Sequence, residues 1–133
     1  MTIENEVIVS YKDDFAEAKV GDGTIRIAAH DTVDRKSLCP VELISAALGT
    51  WIVLTITAVA ENKKIDLEDI RVKITRIDHG KDLGRTSFNL SIELIGTLTQ
   101  RETILLYNSA RNCEVHKLLS GTIDFYYQLL GFE

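Results

Sequence analysis

The sequence predicts an α+β domain, and three observations carry that prediction. Apolar residues alternate with period two near both ends of the chain. Between them lies a run without a single charge, LISAALGTWIVLTITAVA (43–60). A second helical pattern opens near Thr99 at the spacing of a capping box. Read in order, the elements are βββ-α-ββ-α-β in one domain, residues 1–133.

The first third reads as strands. EVIVSY (6–11) is rich in β-formers, and AEAKV (16–20) alternates small apolar with charged residues. GDG (21–23) supplies a tight turn before TIRIAA (24–29), and a polar loop, HDTVDRKSL (30–38), follows. Pro40, the only proline, suits the first turn of a helix, where a missing N–H costs nothing. That helix is predicted over about Pro40 to Asn62, roughly 34 Å long. Its apolar side chains point in every direction, the pattern of a helix covered on several faces.

The second half returns to alternation. Ile70, Val72 and Ile74 mark one strand; Phe88, Leu90, Ile92 and Leu94 mark a longer one, with KDLGR (81–85) turning between them. A helix from about Gln100 to Asn112 takes Thr99 as its cap and Glu102 three residues on. CEVHKLL (113–119) reads as a further short helical turn. TIDFYYQLL (122–130) reads as a final strand with Ile123, Phe125, Tyr127 and Leu129 facing one way.

Composition narrows the function classes. Hydrophobic content of 45% and charged content of 26% belong to a globular chain. A net charge of −5 with scattered basic residues argues against a nucleic-acid partner. The two cysteines, Cys39 and Cys113, are too few for a secreted disulfide framework. The N-terminal stretch has no basic segment ahead of an apolar one, so the expectation is a cytoplasmic protein with reduced thiols. Residues 43–60 meet the lower length of a membrane span. Ser45, Gly49, Thr50, Thr55 and Thr57 dilute their hydrophobicity, and no aromatic belt flanks them. A core helix, not a span, is expected.

Few residues carry recognisable chemistry. Cys39 stands at a helix start, where the macrodipole favours a thiolate, with Arg35 and Lys36 close in sequence. The plainer reading is a small residue at a cap. Glu42 in the first turn complements the dipole, or partners an arginine (Arg35, Arg26 or Arg85) beside a reactive thiol. Cys113 and His116 make Cys-x-x-His with no second ligand pair, so neither a metal site nor a cofactor is expected. His116 reads as a helix-rim residue; His30 and His79 read as solvated turn residues.

Two segments, CPVELISAALGTW (39–51) and SARNCEVHKLLSGTIDFYYQL (109–129), together resemble the OsmC/Ohr family of osmotically inducible and organic-hydroperoxide-resistance proteins. The first is similar to the family's Pro–acidic–Glu-Leu run opening a long central helix; the second is similar to its Cys-Pro-Val segment before a final strand. The resemblance implies an OsmC-like fold and an intertwined homodimer, with the long central helices buried between sheets. It also implies reduction of organic hydroperoxides by two cysteines, an arginine and a glutamate holding the first thiol ionised, in an oxidative-stress response.

The match is incomplete. The family's attacking cysteine aligns with Trp51, and its first acid with Val41, leaving Glu42 and Cys113 as candidate catalytic residues. Glu114 stands where proline is usual. The standard two-cysteine chemistry is therefore not expected; Cys113 alone, with a small dithiol as reductant, is one expectation. The other is a non-catalytic dimeric module whose remnant cleft holds a small apolar or aromatic ligand against Trp51, Cys39 and Arg35, Trp51 otherwise simply filling core. A hot-dog-fold thioesterase also wraps a sheet around one long helix, but the helix at 100–112 fits it poorly.

Overall fold

A computed structural model describes residues 6–28, 37–80, 84–111 and 114–131. They belong to two compact units, Met1–Ala46 and Ala47–Glu133.

The first unit is a three-stranded antiparallel meander: β1 (Ile8–Lys12), β2 (Phe15–Val20) and β3 (Gly23–Ile27), in the order β1-β2-β3. Both connections are two residues long. Asp13 and Asp14 join β1 to β2 with φ of 50° and 69°, the positive pair that matches a hairpin's twist and that aspartate tolerates. The Tyr11 hydroxyl donates to Asp14 Oδ1 at 2.8 Å. That bond, and the carboxylate's charge beside the ring, raise the phenol above its usual pKa. Gly21, at φ 58°, starts the second turn, as GDG predicts. Arg26 lies over the Phe15 ring at 3.6 Å.

α1 (Pro40–Asn62) starts in the first unit and supplies the second with its long helix. Its C-terminus closes as a Schellman motif. Ile65 N–H donates to Ala60 O and Lys64 N–H to Glu61 O, with Lys64 at φ 56° in the left-handed position usually held by glycine.

The second unit continues with a long hairpin, β4 (Leu67–Asp78) and β5 (Thr86–Gly96), then α2 (Gln100–Ala110) and α3 (Glu114–Ser120). The predicted stripes meet in register: Ile70 opposite Leu94, Val72 opposite Ile92, Ile74 opposite Leu90. Thr99 and Glu102 form a complete capping box at the start of α2. The core gathers Ile52, Ile56 and Ala60 of α1, Ile65, and Leu106 and Ala110 of α2, packed against Val72, Ile92 and Leu94. Ile56 and Leu106 are fully buried, each contributing about 1.5–3 kcal/mol by leaving water.

Two expectations need qualifying. The final segment, 122–130, joins no ladder among the described residues; Phe125, Tyr127 and Leu129 are 74%, 93% and 74% exposed. Its composition favours a strand, but a strand forms only beside a neighbour whose N–H and C=O groups it can meet. α1, expected to be covered on several faces, is covered on one within the single chain. Leu48, Gly49, Ile52, Ile56 and Ala60 are buried. Ala47, Trp51, Leu54 and Ala58 form the opposite, exposed stripe, at the 4-3-4 spacing of a coiled-coil seam. By length and composition α1 could also cross a membrane, a test that core helices pass too.

Candidate functional site

The second unit carries an open cleft of about 570 Å³, within the roughly 300–1,000 Å³ range of small-molecule sites. α1 contributes Leu48 and Ile52, β5 contributes Phe88 to Ile92, α2 contributes Tyr107, Ala110 and the adjoining Arg111, and α3 contributes His116. Consecutive β5 residues line it, so both faces of the strand border the space. That places the cleft along the strand edge not paired with β4. Leu48, Ile52, Phe88, Leu90 and Ile92 give it an apolar wall.

Local structure sets the polar groups. Tyr107 and Arg111 are four residues apart, the spacing that places side chains on one helix face. Arg111 is also the C-cap of α2, its N–H donating to Asn108 O and Ser109 O. Described lining residues include no carboxylate. In a chain of net charge −5, this cleft is locally cationic.

Of the described residues singled out from sequence, Cys39 and Glu42 meet at the start of α1, and Trp51 lies on another face of the same helix. Cys39 is the N-cap residue of α1 and only 6% exposed. Its N–H donates to Glu42 Oε1 at 2.9 Å, and its carbonyl accepts the first helical bond, from Leu43 N. Glu42, half-buried, thereby satisfies an amide the helix itself cannot, which is its plain structural role. Trp51 is 39% exposed, on the stripe of α1 opposite Ile52, and is not among the cleft's lining residues. Its ring does not border this cleft. Arg35, His30 and Cys113 lie outside the described residues. His79, expected in solvent, is half-buried, its Nε2 at 2.7 Å from Ser87 Oγ.

Sequence reading missed the cleft itself. Its strand wall reads as ordinary core alternation, and Tyr107 and Arg111 read as the polar side of a helix. The available signal was arithmetic: four alternating apolar positions on β5, Phe88 to Leu94, make a stripe longer than one helix face covers.

A family model described as OsmC-like protein matches residues 33–128. Among solved structures, an OsmC-like protein of Mycoplasma pneumoniae is similar at TM-score 0.75 and 17% identity, covering 91% of this chain and 90% of that one. A proposed osmotic-stress-induced and detoxification-response protein of Psychrobacter arcticus gives 0.72 and 21%, covering 89% and 90%. The organic hydroperoxide resistance protein OhrB of Bacillus subtilis gives 0.60 and 16%, covering 92% and 94%. No curated protein matches the chain.

Proposed function

The chain belongs to the OsmC-like protein family, and from that membership we propose a homodimer that handles organic hydroperoxides in the response to oxidative stress, through Cys113 alone. Trp51 stands where the family's attacking cysteine aligns and offers no nucleophile. Cys39 is buried at a helix cap, out of reach of a peroxide. Cys113 is the remaining thiol.

The observation that supports this reading is the cleft. Its rim residues Arg111 and His116 flank Cys113 in the chain, two residues before it and three after. An apolar wall suits the organic part of a hydroperoxide. A nearby guanidinium favours the thiolate, which is the attacking form. The Cys113 sulfur takes the outer peroxide oxygen, the O–O bond breaks, and the alkoxide leaves with a proton as an alcohol. The sulfenic acid left on Cys113 then condenses with an external dithiol, releasing water. The dithiol's second sulfur frees Cys113 and leaves as a disulfide, closing a two-electron cycle.

Dithiol-dependent loss of cumene hydroperoxide tests it. Cys113→Ser abolishes turnover and Cys39→Ser preserves it; equal rates in wild type and Cys113→Ser reject the proposal. In that event the second reading applies: a module that binds a small apolar or aromatic molecule without reacting, supported by the same cleft.

The dimer rests on the outer stripe of α1. Trp51 and Leu54 are 39% and 56% exposed, large apolar side chains in a row that a second copy of the same stripe would cover. An isologous helix pair uses one surface twice and closes.

A further inference from the structure

We draw no further inference here: the strongest candidate, the exposed apolar segment 122–130 that follows α3, with Phe125, Tyr126 and Tyr127 turned to solvent, carries nothing because nothing in the structure shows what covers it.

Discussion

Gly49 of α1 faces Ile74 of β4 so closely that a Cβ on the glycine would lie 2.7 Å from Ile74 Cδ1. Helix and sheet meet there so closely that any side chain at position 49 requires the tip of Ile74 to move, and a residue that weakens helices is kept in the middle of one. Alanine in its place raises helix propensity by about 1 kcal/mol. It also overpacks a contact whose correction costs about 1–3 kcal/mol. Gly49→Ala therefore destabilises the protein by about 1 kcal/mol net. In an Ile74→Val background, which removes the Cδ1 methyl, the same substitution becomes stabilising. Denaturant unfolding of the four proteins in a double-mutant cycle measures the change of sign.

Gly96 has no such relief. Its φ is 153°, and a Cβ there would clash with Asp66 O and lie 3.0 Å from Glu68 N, both backbone atoms. The neighbouring register shift between Leu67 and Asp69 brings β4 close at this point. Backbone cannot rotate away as a side-chain tip does. Gly96→Ala is expected to destabilise by more than about 3 kcal/mol, read as a lowered urea midpoint or insoluble expression.

Leu106 and Leu54 separate folding from association. Leu106 is fully buried in the second unit's core, whereas Leu54 is 56% exposed on the outer stripe of α1. Leu106→Ala lowers the unfolding free energy by about 2–5 kcal/mol. Leu54→Ala leaves that core intact and weakens the proposed dimer by about tenfold in dissociation constant. Concentration-dependent thermal melts distinguish the two: the melting temperature of the Leu54 variant depends on protein concentration less than that of the Leu106 variant, because association adds stability only where concentration exceeds the dissociation constant.

Local rules were legible in the chain. Thr99 and Glu102 announced the capping box, Pro40 the start of α1, and the alternating runs at 70–74 and 88–94 the strands β4 and β5. Each depends on residues near one another in sequence or on a simple period. The Asp13-Asp14 turn and the left-handed Lys64 were less legible, because both positions use residues that adopt positive φ less readily than glycine. The cleft was illegible for a different reason. It draws on four elements, and none of its residues is unusual on its own. Trp51 shows the same limit: all-round apolarity in α1 announced burial, but not which face the single chain covers. The tail at 122–130 has a strand's composition, and only a neighbouring strand can make it one.

The most direct test of the account is the association state of the intact protein. Sedimentation equilibrium is expected to give twice the protomer mass of 14.9 kDa, with Trp51→Glu shifting the protein to the protomer, since a charge on the seam cannot be desolvated unpaired. A wild-type protein that sediments as a stable protomer, its tryptophan as accessible to quencher as in a dissociated variant, would contradict the account.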